Sequence, residues 1–132
     1  MAQVTLEQLT ADTWVVSLLG EHDISMVDAL RDRLAEALTR DGRLIIDLTE
    51  ATFVDSTVLG VLFAVVNQST SAAAGETHAL VVTPGSTVDR TIALAGLTSM
   101  VATYPSRDEL LAAWREGVHH THPDPRTYQQ RG

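Results

Sequence analysis

Two adjacent hydroxyl residues, Ser56 and Thr57, occupy the position in this 132-residue sequence that is best suited to reversible chemistry. They follow Asp55 and precede an apolar run that starts at Val58. Aspartate, serine and threonine are favoured where a helix begins, because their side-chain oxygens accept hydrogen bonds from the free N–H groups of the first turn. A hydroxyl there can simply cap the helix, or it can carry a phosphate and act as a switch.

Short apolar runs alternate along the chain with segments whose apolar residues recur every three or four positions, which are typical of strands and helices respectively. The predicted strands are Val4–Leu6, Trp14–Leu19, Arg43–Leu48, Thr77–Val82 and Met100–Tyr104. The predicted helices start near Ser25, Ser56, Ser86 and Ser106. This order predicts an α/β fold, with a mixed and mostly parallel sheet of four or five strands, about four helices and an antiparallel first hairpin.

Three local details complete this prediction. Gly20 is expected to end the second strand, and Ser25 with Asp28 is expected to cap the first helix. Ser106 and Glu109 have the spacing of a capping box for the last helix. The domain is expected to span residues 1–117, and residues 118–132, which lack apolar periodicity, are expected to form a disordered tail.

Composition excludes several classes of function. The net charge of -8 and only nine basic residues disfavour nucleic acid as a partner. No apolar run is long enough to span a membrane, so a cytoplasmic protein with no membrane contact is predicted. The absence of cysteine rules out disulfides and thiolate chemistry. No metal or cofactor is predicted, because His119, His120 and His122 of the tail lack a fourth ligand at regular spacing.

The order of elements, together with three motifs, resembles the STAS domain family of bacterial anti-sigma factor antagonists and sulphate transporter tails. The resemblance covers about Val4 to Gly117. The motifs are Gly20-Glu21-His22-Asp23, then Ile46-Asp47-Leu48 followed by Phe53-Val54-Asp55-Ser56-Thr57 and Leu59-Gly60, and finally Val88-Asp89-Arg90 before Leu94-Ala95-Gly96-Leu97.

This resemblance implies an antagonist that binds a serine-kinase anti-sigma factor and so releases a sigma factor. The kinase would use ATP and magnesium to phosphorylate Ser56, with Thr57 as a secondary acceptor, and phosphorylation would end binding. Many members carry glycine where this chain has Val58, whose side chain is expected to restrict access to the hydroxyl pair. The partner surface implied by the family comprises Gly20, Glu21, His22, Asp23, Asp55, Ser56, Thr57 and Val58.

Other interpretations remain open at this point. The chain could be a STAS interaction module without phosphorylation, such as a scaffold or a transporter accessory subunit. An enzyme is not predicted, because Ser56 lies outside a Gly-x-Ser-x-Gly elbow and His22 is expected to be an exposed loop residue rather than its base. Asp47 is either a site residue at a strand end or a partner of nearby backbone. A monomer is expected, with a dimer left open.

Overall fold

A six-stranded sheet carries four helices in the computed structural model, which describes residues 2–40, 42–68 and 77–116. The strands are β1 (Gln3–Thr10), β2 (Thr13–His22), β3 (Arg43–Asp47), β4 (Ala51–Val54), β5 (His78–Val81) and β6 (Ala102–Tyr104). The helices are α1 (Val27–Leu38), α2 (Ser56–Gln68), α3 (Thr87–Leu94) and α4 (Arg107–Arg115). The predicted fold class is confirmed.

The strand order is β1-β2-β3-β5-β6, and β4 pairs with β2 outside this path. β1 and β2 are antiparallel, whereas the other pairs are parallel. β4 pairs with the last residues of β2, beyond the point where β3 stops pairing with that strand. Because parallel strands end at the same edge, the residues after β2 and β4 lie side by side.

Each face of the sheet is covered by helices. The larger core lies on one face and includes buried residues of α1, α2 and α3, such as Leu30, Leu62 and Ile92. On the other face α4 contributes Leu110 and Trp114 to a second core. Full burial of one such aliphatic side chain stabilises the fold by about 1.5–3 kcal/mol, so the two cores hold the strand ends in fixed positions.

Three details of the predicted elements are wrong. Gly20 does not end β2; it adopts a φ of 84° beside a shift in register, and the strand continues to His22. This continuation pairs with β4, a strand that was not predicted. Ser25 and Asp28 do not form the expected cap, because Asp23 instead caps a short 3-10 turn over Ile24–Met26 and α1 begins after it.

Ser106 caps the last helix, as its spacing to Glu109 predicts, and Ser86 caps α3 in the same way. Ser106 accepts a hydrogen bond from the N–H of Glu109 at 3.2 Å, and Ser86 accepts one from Asp89 at 3.1 Å. Within residues 2–40, 42–68 and 77–116, no helix combines the length and apolar character needed to cross a membrane. The predicted tail over residues 118–132, its histidines and the domain boundary at residue 117 lie outside the described residues.

Candidate functional site

The carboxyl ends of β2 and β4 form a small acidic ledge. His22 is opposite Val54 in the parallel pairing, so Asp23 and Asp55, the next residue of each strand, are neighbours. The N–H of Asp55 also donates to the carbonyl of His22 at 3.1 Å, which fixes the two chain segments relative to each other. The structure therefore brings together two carboxylates that are far apart in the sequence.

Asp55 caps α2. Its Oδ1 accepts hydrogen bonds from the N–H of Val58 at 3.0 Å and from the hydroxyl of Thr57 at 2.6 Å. These bonds, that of Thr57 first, lower the pKa of Asp55 below its usual value of 3.8, and the N–H of Ile24 contributes in the same direction. The carboxylate is thus held in its charged form at the start of the helix.

Asp23 has an equivalent role at the end of β2. Its Oδ1 accepts from the N–H of Ser25 at 2.9 Å and from the Ser25 hydroxyl. These bonds lower the pKa of Asp23, while the charge of Asp55 opposes the shift. Two carboxylates therefore stand close enough to repel each other, and no basic side chain in the described part of the chain forms an ion pair with either.

Ser56 is the first residue of α2 and is exposed to solvent. Thr57 is also exposed, but its hydroxyl is engaged by Asp55. The Ser56 hydroxyl has no hydrogen-bond partner among residues 2–40, 42–68 and 77–116, so its oxygen is available to a second macromolecule. Of the two predicted acceptors, the structure leaves Ser56 free and holds Thr57.

Two residues of the predicted partner surface are buried and cannot contact a partner through their side chains. Val58 has no exposed surface and packs in the larger core, so the expectation that it restricts access to the hydroxyl pair is wrong. His22 is likewise fully buried rather than an exposed loop residue. Its Nε2 lies 3.0 Å from the carbonyl of Leu19, and Nδ1 has no partner in the described structure.

The remaining members of the predicted surface stand near the ledge. Glu21 is exposed beside Asp23, and Gly20 is half-buried in the irregular part of β2. Sequence reasoning missed two further surface residues, Ile24 and Phe53, which are 69% and 43% exposed. The available signal was a large apolar residue within two positions of a predicted site aspartate.

Asp47 belongs to a structural network rather than to the ledge. Its Oδ1 accepts from the N–H and hydroxyl of Thr49 at 2.9 and 2.7 Å, and its Oδ2 accepts from Nε of Arg107 at 2.7 Å. The side chain is 9% exposed. Of its two predicted roles, bonding to nearby backbone is the one observed, and an ion pair to α4 is added to it.

Comparison with known proteins gives the same fold. The family model described as STAS domain matches residues 5–110. An anti-sigma factor antagonist from Mycobacterium paratuberculosis is 28% identical, with a TM-score of 0.74, and the match covers 87% of this chain and 95% of that chain. No curated protein matches the sequence.

More distant solved structures share the fold. The Bacillus cell fate determinant SpoIIAA in its phosphorylated form is 20% identical, with a TM-score of 0.60, and the match covers 83% of this chain and 97% of that chain. A putative anti-sigma factor antagonist from Thermotoga maritima is 21% identical, with a TM-score of 0.67 and coverage of 85% and 94%.

Proposed function

Because this chain belongs to the STAS domain family, we propose that it acts in the bacterial cytoplasm as an anti-sigma factor antagonist. Its unmodified form binds a serine-kinase anti-sigma factor and frees a sigma factor, and phosphorylation at Ser56 reverses the binding. The likeness to the antagonist from Mycobacterium paratuberculosis supports the general role. The ATP and magnesium belong to the kinase.

One observation carries the choice of Ser56. Its hydroxyl is exposed and unbonded at the first position of α2, whereas that of Thr57 donates to Asp55 at 2.6 Å. A kinase must align the attacking oxygen with the γ-phosphate, so a hydroxyl that is free to rotate is the better acceptor. Thr57 would have to give up its bond to Asp55 first.

The charges around Ser56 explain how a phosphate could end binding. Phosphorylation adds a charge of about -1.5 to -2 to a surface that already holds Asp23 and Asp55. A partner that is complementary to two carboxylates would have to accommodate further charge without added counter-charge, which costs several kcal/mol. Since each 1.4 kcal/mol is about tenfold in affinity, binding would fall by orders of magnitude.

The acceptor is tested by incubating the protein with a candidate kinase anti-sigma factor and Mg-ATP, followed by intact-mass measurement. Wild-type protein and Thr57→Ala should each gain one phosphate, because both retain the Ser56 hydroxyl. Ser56→Ala should gain none. Phosphate transfer to Ser56→Ala at the wild-type rate would place the acceptor elsewhere.

The switch is tested by calorimetric titration of the same anti-sigma factor with the Ser56 variants. Ser56→Ala should bind as tightly as the unmodified wild type, and Ser56→Glu should bind at least about a hundredfold more weakly, because it places a charge where the phosphate would be. Equal binding of the two variants would exclude the switch and favour an interaction module without phosphorylation.

A further inference from the structure

Two large apolar side chains are exposed beside the acidic ledge. Ile24 is 69% exposed and Phe53 is 43% exposed, and Leu94 is the only other large hydrophobic residue exposed in the described part of the chain. Exposure of such side chains is costly in water, and grouped apolar residues rimmed by polar ones mark interaction surfaces. Their grouping next to Ser56 therefore calls for a physical explanation.

The pairing of β2 with β4 places both residues close to the carboxylates. Ile24 directly follows Asp23, and its N–H helps to stabilise the charge of Asp55. Phe53 lies on β4, and Asp55 directly follows that strand two residues later, about 7 Å along an extended chain. Neighbouring strands are about 4.8 Å apart, so the backbone at Ile24 and at Phe53 lies close to both carboxylates.

Both side chains are presented on rigid backbone. Ile24 begins the 3-10 turn that Asp23 caps. Phe53 pairs with Glu21 across the two strands, and its neighbour Val54 is buried in the core. Little backbone entropy would thus be lost when a partner contacts them, which is the property of an effective anchor.

We propose that Ile24 and Phe53 are the apolar anchors of the surface that contains Ser56, and that its occupant is a protein face with an apolar pocket bordered by arginine or lysine. This inference rests on the proposed function and specifies the chemistry of the partner. Asp23 and Asp55 carry charges that no cation balances within the described residues, so a basic border is complementary to them.

Charge also argues against two other occupants. In a two-fold dimer through this surface, the same patch would meet its own copy, and the ledge would face another pair of carboxylates. An anionic membrane surface would be repelled by a chain of net charge -8. A basic protein face removes the repulsion between Asp23 and Asp55 instead of increasing it.

The test is calorimetric titration of the candidate kinase anti-sigma factor with Ile24→Thr, Phe53→Thr and Leu94→Thr. Threonine removes apolar surface at all three positions, and at Ile24 it also preserves the β-branching. Leu94 is the matched control: it is 90% exposed, but it ends α3 and does not belong to the segments after β2 and β4 that carry Asp23 and Asp55. Far-ultraviolet circular dichroism verifies that each variant is folded.

We expect Ile24→Thr and Phe53→Thr each to weaken binding by about tenfold or more, and Leu94→Thr to leave it within about twofold. Wild-type affinity should also fall as salt is raised, because the charges of the ledge are exposed and screened. If wild type binds, and Ile24→Thr and Phe53→Thr bind no more weakly than Leu94→Thr, the assignment of the anchors is wrong and the proposed function stands. If wild type does not bind at all, the proposed function fails and this inference fails with it.

Discussion

The carboxylate of Asp55 separates the roles of two neighbouring hydroxyls. It holds the hydroxyl of Thr57 and the N–H of Val58 through one oxygen, and leaves Ser56 unbonded. Aspartate at this position therefore favours the start of α2 and also determines which of the two hydroxyls is left without a hydrogen bond among the described residues. The side chain that caps the helix is that of Asp55, so capping does not account for the exposed serine beside it.

The bonds to Asp55 predict a pH dependence of stability. Its folded pKa lies below 3.8, so its contribution is fully present above that pH and is lost as the pH falls through the folded pKa, because the unfolded chain takes up the proton first. Asparagine can accept the same bonds without charge. The stability advantage of wild type over Asp55→Asn, measured by urea unfolding, should therefore shrink as the pH is lowered below about 4.

Asp32→Asn is the control for this measurement, since Asp32 is exposed in the middle of α1 and caps no helix. The difference between wild type and Asp55→Asn should change with pH more than the difference between wild type and Asp32→Asn. A pH-independent difference for Asp55→Asn would mean that its hydrogen bonds do not favour the charged carboxylate.

The burial of His22 is consistent with the alternation of residues along β2, although it was not predicted from the sequence. Val16, Leu18 and His22 share the parity of one strand face, and all three are fully buried. If β2 is extended past Gly20, simple alternation predicts a buried histidine. The burial of His22 was not predicted because Gly20 indicates the end of a strand. In the structure β2 continues past Gly20 and pairs irregularly with β4.

At the scale of elements, one arginine makes the polar contacts between the start of α4 and the sheet, in addition to the apolar packing of Leu110 and Trp114. Arg107 donates from Nε to Asp47 at 2.7 Å and from Nη2 to Ser17 at 3.1 Å, and its Nη1 lies 3.1 Å from Glu7. These partners belong to β3, β2 and β1, so the start of α4 is tied to three strands. Asp47 and Ser17 are buried, whereas Arg107 and Glu7 are partly exposed to solvent.

Arg107→Ala should lower the free energy of unfolding by roughly 2 kcal/mol, because Asp47 would be left mostly buried without its cation. This is less than the loss for a fully buried pair, since 31% of the Arg107 side chain is exposed to the screening solvent. Urea unfolding at neutral pH measures the loss. Arg33→Ala, which removes an exposed pair with Glu36, is the control and should change stability by less than about 0.5 kcal/mol. If the two substitutions lowered the free energy of unfolding equally, the contacts of Arg107 would contribute no more than an exposed ion pair does.

The main elements were predictable because their signals are local. The apolar run of β3, the periodicity of α1 and the serine caps of α3 and α4 are each contained in a short window. β4 was missed because it has four residues and its pairing depends on the end of β2, about 30 positions earlier in the chain. The ion pair of Asp47 with Arg107 was missed for the same reason, since 60 positions separate its partners.

At the scale of the whole molecule, a reversible regulator must change its surface and keep its fold. Ser56 is suited to this because it is exposed, while Val58 two positions later is fully buried. A negative charge at a helix N-terminus is favoured by about 0.3–1 kcal/mol, and repulsion from Asp23 and Asp55 opposes that gain. The two effects oppose each other on an exposed surface, so the free energy of unfolding should change little.

Ser56→Glu is therefore expected to unfold in urea within about 1 kcal/mol of wild type, although it loses its partner. Val58→Glu is the contrasting variant, because an unpaired carboxylate in the larger core costs several kcal/mol and should unfold the domain. Circular dichroism in a urea series separates the two. If Ser56→Glu proved as unstable as Val58→Glu, its loss of binding would report on unfolding, and a charge at Ser56 would destroy the domain instead of regulating it.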